Sequence, residues 1–447
     1  MSSPSQLSSP SQDPPDAPSA RNPPAAAERR TAPSDLRGPG DAARRPAANA
    51  TATTRGLAGT TLLVSVAMSV IGTSSSLFLV DGVGATPLMV GFFFVGRALL
   101  QIVMGLTIGA LSDRTSNRRG LLVVCGCFSA AGAFTFMALR NYYLLLTIGG
   151  VFFGIGSAAF AQLFAYAREW ADGRAMNPSS VNARLRALSS LAWIVGPPVG
   201  LYVLATHGFR VLYLIVALFH LSAAGLALWL LPDLPRAPRR ATPAGNPRAG
   251  IPPSLWLLLS GVLLLFMVNN MYQIDFTLFV TRDLGYDASF AGLPLGLSAA
   301  VEVPVIMYLG TRTERFGKGR LVLLAALCAT AFFAGLPFVH AKAGLLLIQG
   351  LNALWSAIAL SVPVTILQDA MPDRLGTASS LYTSSFQTGI LLGGACTGVV
   401  AQWAGFTNVF FVCATLTAVA TLLLTLSLRA ARAEATTDRP IIGTATA

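Results

Sequence analysis

Long apolar stretches of this 447-residue chain are interrupted by a few amides, acids and one arginine whose spacing puts them on shared helical faces. In "VNNMYQIDF", Asn269 and Gln273 share a face, with Tyr272 on one side and Asn270 on the other. Gln349, Asn352 and Ser356 follow at i, i+3, i+7, a single polar stripe with Trp355 alongside. Arg97 and Gln101 lie four apart on one face of another apolar run. Amides, carboxylates and guanidinium groups hydrogen-bond polyhydroxylated molecules, and aromatic faces stack on them. The candidate substrate-binding residues are therefore Arg97, Gln101, Asn269, Asn270, Tyr272, Gln273, Gln349, Asn352 and Trp355. Interhelical hydrogen bonding is the competing account of both stripes, because an unpaired amide in hydrocarbon is costly.

Two acids sit within apolar runs. Glu302, in "SAAVEVPVI", lies mid-run beside Pro304, which frees a backbone carbonyl and can break the helix. A carboxylate at that depth is a functional-site hypothesis by default, and Glu302 and Asp275 are the candidate proton-coupling residues. Three roles are open for Arg97: an ion pair with Asp275, an ion pair with Glu302, or recognition of a carboxylate or phosphate on a cargo.

Covalent and metal chemistry have no support. The chain has no GxxxxGK[ST] and no HExxH, and no Ser/His pairing stands out, so a membrane-embedded enzyme is only the alternative from another class. Cys125 and Cys127 are two apart and point to different sides of a helix, Cys328, Cys396 and Cys413 are scattered, and His207, His220 and His340 form no four-residue pair. No metal site and no cofactor are expected.

The elements that must hold these residues are membrane helices. Hydrophobic residues make up 53% of the chain and charged ones only 11%, with a mean hydropathy of +0.62, whereas a soluble domain has roughly 25% charged residues. Runs of about 20 apolar residues match the thickness of a bilayer. Twelve are read: 57 to 79, 88 to 111, 121 to 139, 143 to 166, 185 to 205, 210 to 231, 254 to 281, 288 to 310, 320 to 338, 343 to 367, 376 to 400 and 406 to 428. The net charge of +12 reflects topology. Of the 31 Lys and Arg residues, 26 fall in segments on the side of the termini, four (Arg140, Arg210, Arg282, Lys342) on the other side, and Arg97 within a span. This asymmetry places both termini in the cytoplasm and favours anionic lipid as a partner over nucleic acid. Residues 1–54 read as a disordered cytoplasmic tail, 55–231 as a six-helix bundle, 232–253 as a Pro- and Arg-rich cytoplasmic linker, 254–428 as a second bundle and 429–447 as a cytoplasmic tail.

The halves repeat. The knots "GALSDRTSNRRG" (109–120) and "GTRTERFGKGRL" (310–321) align at an offset of 201. That offset matches Gly109 with Gly310, Asp113 with Glu314, Arg114 with Arg315, Arg119 with Arg320, Gly91 with Gly292 and Gln101 with Glu302, and leaves Gly319 opposite Arg118. Gly109, Asp113, Arg114, Arg119, Gly310, Glu314 and Arg315 are the candidate gating residues, since acid and arginine contacts at a bundle end can be made in one state and broken in another. A purely topogenic charge cluster is the alternative.

Twelve spans in two halves, with such knots after spans two and eight, resemble the major facilitator superfamily, although Ser116 stands where glycine is usual. "FLVDGVGATPLMVGFFFVG" (78–96), "FAYAREWAD" (164–172), "SLAWIVGPP" (190–198) and "LQDAMPDRLGTASSLYTSS" (367–385) resemble the bacterial sugar efflux transporters within it, from about residue 60 to 428. The resemblance implies an all-α fold of two pseudo-symmetric six-helix bundles rocking about a midplane cavity in the cell's inner membrane. It also implies export of sugars or glycosides, lactose and glucosides included, in exchange for protons. Arg97 and Asp275 are not fixed parts of that pattern, so a multidrug or other amphipathic or anionic compound exporter is the alternative within the fold. Twelve helices enclose a cavity without a second copy, which makes a monomer sufficient.

Overall fold

The computed structural model describes residues 39–114, 117–174, 176–234 and 251–437. Most of the expected N-terminal tail, of the linker and of the far C-terminal tail lies outside the described residues. Residues 39–54, read from sequence as disordered, belong to the helix Pro39–Leu77. Contacts divide the chain into Met1–Ala48, helical where described, and Asn49–Ala447, which contains the bundle.

Among the described residues, ten helices are long and apolar enough to cross a membrane. One of them, Ser180–Leu230, is two helices meeting at Gly208, whose φ of 77° is open to glycine at little cost. A further helix, Leu375–Ala404, has 30 residues but carries Gly, Ser and Thr where the others carry Leu and Val, so hydropathy alone passes over it. Twelve spans result: α1 (Thr51–Gly82), α2 (Pro87–Ser112), α3 (Arg118–Ala138), α4 (Tyr142–Asp172), α5 (180–207), α6 (209–230), α7 (Pro253–Asp283), α8 (Ala288–Leu309), α9 (Lys318–Phe338), α10 (Lys342–Ala370), α11 (Leu375–Ala404) and α12 (Phe406–Glu434). Pro304 does not break its helix, which runs unbroken over Ala288–Phe316.

The duplication extends to individual hydrogen bonds. The last turns of α1 (Phe78–Gly82) and α7 (Phe279–Asp283) both widen to π-helix, and Gly84 and Gly285 follow with φ of 76° and 69°. The closing bonds, Ala85 N to Leu79 O and Tyr286 N to Val280 O, correspond one to one. Two residues touch their own counterparts in the other half. Ser76 and Thr277 hydroxyls lie 3.1 Å apart, and Arg282 is ion-paired with Asp81; each pair is separated by 201 residues. A residue touching its own repeat mate lies on the pseudo-two-fold axis, which therefore runs between α1 and α7.

In the charged knots the register is one residue different from the sequence alignment. Arg118 of α3 donates to Glu169 of α4 at 2.7 Å, across 51 residues. The equivalent ion pair in the second half, also across 51 residues, joins Lys318 to Asp369. Lys318, not Gly319, is thus the counterpart of Arg118. The sequence of each knot allows either alignment; the acid on the neighbouring helix selects one.

The halves meet on two repeat-related seams, both toward the end opposite the basic residues. A Cβ on Gly91 of α2 would fall 2.5 Å from Gly398 Cα of α11, and one on Gly292 of α8 would fall 2.5 Å from Pro197 O of α5. Three hydrogen bonds between the halves lie at that same end: Ser76 with Thr277, Arg282 with Asp81, and Leu88 N with Gln402 Oε1 at 3.2 Å. Toward the basic end, Gly105 and Gly109 of α2 and Gly376 of α11 face open space within 4 Å. The close seams thus hold the halves together at the end opposite the basic residues.

Candidate functional site

A cavity of about 410 Å³ lies between the halves at mid-depth, within the range typical of small-molecule sites, roughly 300–1,000 Å³. The first half contributes Arg97 and Gln101 from α2; the second contributes Asn269, Asn270, Tyr272 and Gln273 from α7, Glu302 from α8, and Asn352 and Ser356 from α10. Apart from Tyr272, Arg97 and Glu302 are the ionisable side chains among its lining residues.

The α10 stripe forms a hydrogen-bonded network rather than a bare face. Tyr272 Oη donates to Gln349 Oε1 at 3.0 Å, and Asn352 Nδ2 donates to Gln349 Oε1 at 3.1 Å and to Ser298 Oγ at 2.9 Å. Trp355 Nε1 donates to Asn352 Oδ1 at 3.0 Å, and Ser356 Oγ donates to Glu302 Oε2 at 3.1 Å. Gln349 and Trp355 are fully buried and absent from the lining, with Trp355 packed on Phe333. They hold Tyr272 and Asn352 in place from behind. Interhelical bonding and cavity lining are thus divided along one stripe: its α7 side pairs with protein, and its middle reaches the cavity.

Asp275 does not line the cavity. It is fully buried on the part of α7 turned toward Cys413 of α12, and neither carboxylate oxygen has a hydrogen-bond partner. Among the described residues no ion pair joins Arg97 to Asp275 or to Glu302. Both acids lie within apolar spans in the sequence, Glu302 near the middle and Asp275 in the outer half; in the structure one meets the cavity and the other is turned into packing.

Several lining residues carry no sequence-level flag: Trp193, Ser189 and Ser190 of α5, Phe94 of α2, Phe266 of α7 and Phe386 of α11. The spacing of Ser189, Trp193 and Pro197 by four was a usable signal, since it defines one helical face that starts just before "SLAWIVGPP" and runs through it. These rings supply the aromatic surface that the amide list lacked.

At the basic end, Arg118 also donates to Ser112 Oγ at 2.9 Å and to Gln162 Oε1 at 3.3 Å, while Ser112 donates to Gln162 at 2.7 Å. Arg119 reaches Asp233 at 2.6 Å and the Leu231 carbonyl at 3.2 Å, tying α3 to the end of α6. All these contacts stay within one half. Gly109 is bare and Arg315 exposed; the side chains of Asp113, Arg114 and Glu314, and the surroundings of Gly310, lie outside what is described.

The sequence profile of the Major Facilitator Superfamily matches residues 57–346 and 258–445. Sugar efflux transporter A of Escherichia coli (strain K12) is 33% identical over 368 residues, 81% of this chain and 94% of that protein. A putative sugar efflux transporter of Deinococcus radiodurans is 32% identical over 370 residues, again 81% of this chain and 94% of that protein. The crystal structure of the nucleoside transporter NupG superimposes with a TM-score of 0.71 over 84% of this chain and 99% of that one, at 14% identity, which speaks for the fold alone. With a duplicated twelve-helix bundle, a cavity between its halves and these relatives, the chain belongs to the Major Facilitator Superfamily of multi-pass membrane transporters, in the branch of the sugar efflux transporters.

Proposed function

We propose that this protein exports sugars or glycosides of the lactose and glucoside type across the inner membrane, by alternating access and in exchange for protons. The observation that carries this reading is one cavity, lined by amides from one half and by an arginine and an amide from the other, with aromatic faces between and a single carboxylate on its wall. Amides give a sugar both donors and acceptors, and the rings of Trp193 and Phe386 offer apolar faces to its C–H surface. The basic end is the cytoplasmic end, so the form open at that end loads cargo from the cytoplasm.

Glu302 is the coupling group in this scheme. As a carboxylate it accepts the Ser356 hydroxyl and has capacity for a sugar hydroxyl; protonation removes its charge and part of its acceptor capacity, which weakens its hold on the sugar. A site that holds either a proton or a cargo hydroxyl exchanges one for the other as the two ends open in turn.

The test is transport in inverted proteoliposomes with radiolabelled lactose and a radiolabelled glucoside under an imposed pH gradient, comparing the intact protein with Glu302→Gln. Gradient-driven movement of sugar that disappears in the variant is the expected result. Movement that persists in the variant removes Glu302 from the coupling. If neither sugar moves while an amphipathic dye does, the sugar assignment is wrong and the multidrug alternative holds.

A further inference from the structure

Arg97 has no counter-charge among the described residues. Among the described residues it makes no ion pair and no hydrogen bond; its guanidinium lies 5.9 Å from the centroid of the Phe94 ring. On the other side it borders a crevice of about 20 Å³ lined by apolar groups of α1 and by Ser129, Ser157 and His220 of α3, α4 and α6. Neither ring nitrogen of His220 has a partner, so the crevice offers Arg97 no acid. Across the main cavity the one carboxylate, Glu302, accepts from Ser356, and Asp275 faces elsewhere. A cation at mid-depth with no anion beside it is unfavourable, and a neutral sugar would fill the cavity without correcting that.

We infer that the cargo carries an anionic group, a carboxylate on a sugar or glycoside, and that Arg97 receives it while the amides of α7 and α10 hold the ring hydroxyls. This rests on the reading of the cavity as a sugar site and narrows it. A guanidinium fork matches a carboxylate with two parallel hydrogen bonds. Placing that fork on α2 and the amides on α7 and α10 makes the cargo bridge both halves, as a molecule that is carried by their relative motion must.

The experiment measures binding of p-nitrophenyl β-glucoside and p-nitrophenyl β-glucuronide, which differ only in a carboxylate at C6, to the purified full chain at pH 7. p-Nitrophenyl sulfate serves as an anion without a sugar. The glucuronide is expected to bind about tenfold tighter than the glucoside or better, and this ratio to collapse toward one in Arg97→Gln and to be partly retained in Arg97→Lys. The ratio is read only on variants that elute as the parent does. Equal binding of the two glycosides by the parent, or a ratio unchanged in Arg97→Gln, overturns the anionic cargo and leaves the sugar reading standing. Binding of the sulfate as tight as the glucuronide, or of neither glycoside, overturns the sugar reading and this inference with it.

Discussion

Replacing Gly91 by alanine tests whether the seams between the halves set the closed end. The added Cβ would meet Gly398 Cα at 2.5 Å and Gly394 O at 2.7 Å, whereas ordinary contact begins at 3.4 Å. The obstacles are backbone atoms, so no side-chain rotation relieves them, and α2 and α11 must part by about 1 Å or carry the strain. Overpacking of this kind costs about 1–3 kcal/mol, and only in the conformation where the seam is shut. The gain in helix propensity from Gly to Ala is the same in both conformations and cancels. The equilibrium should therefore move about 5- to 150-fold toward opening at the far end. A cysteine introduced at Ile390, in the cavity wall, reports this through its reaction with a membrane-impermeant maleimide supplied from either side, against the parent protein's own labelling. Gly91→Ala and its repeat mate Gly292→Ala should raise labelling from the far side and lower it from the basic side. Gly225→Ala, where nothing lies within 4 Å, should change neither. Unchanged far-side labelling in both seam variants would refute the argument, as would the same rise in Gly225→Ala.

The ion pair on the pseudo-two-fold axis gives a second handle. Asp81→Arg places like charges at the mouth of the closed end and should raise far-side labelling of the same cysteine. The double exchange Asp81→Arg with Arg282→Asp should return it; both partners are partly exposed, so the pair contributes about 0.2–1 kcal/mol and the effect should fade in high salt. A double exchange no different from the single one would mean that the pair does not act as a latch. Asp275 leads to a prediction about stability. Its carboxylate is buried without a hydrogen bond, so Asp275→Leu should stabilise the detergent-purified protein by about 1–3 kcal/mol in thermal unfolding. A loss of stability would show that the carboxylate has an attraction the packing does not reveal.

Much of the architecture was legible because a bilayer acts on sequence locally. An apolar run either is or is not long enough to span it, and the excess of Lys and Arg on one side follows from the same local rule. Leu375–Ala404 shows the limit of that rule, since its glycines, which let it approach α2 and α7 closely, dilute the hydropathy signal together with its serines and threonines. The repeat was legible at Gly91 and Gly292, whose equivalent seams appear in the structure. It slipped by one residue at Arg118, where a knot full of charges aligns almost as well in either register.

Sequence alone determined that polar groups lie within the apolar spans, and of those it singled out, the structure sets Arg97, Gln101, the α7 amides, Glu302 and Asn352 on the cavity wall. It could not tell that Glu302 faces the cavity and Asp275 does not, nor separate Asn352 from Gln349 in that respect, and it passed over Trp193. Depth is a property of a residue's position along its own helix, which the chain order records. Which face of that helix meets a cavity, a neighbour or nothing depends on how eleven other helices pack around it. Only the tertiary structure decided that, placing Glu302 and Arg97 on the cavity wall and burying Asp275 away from it.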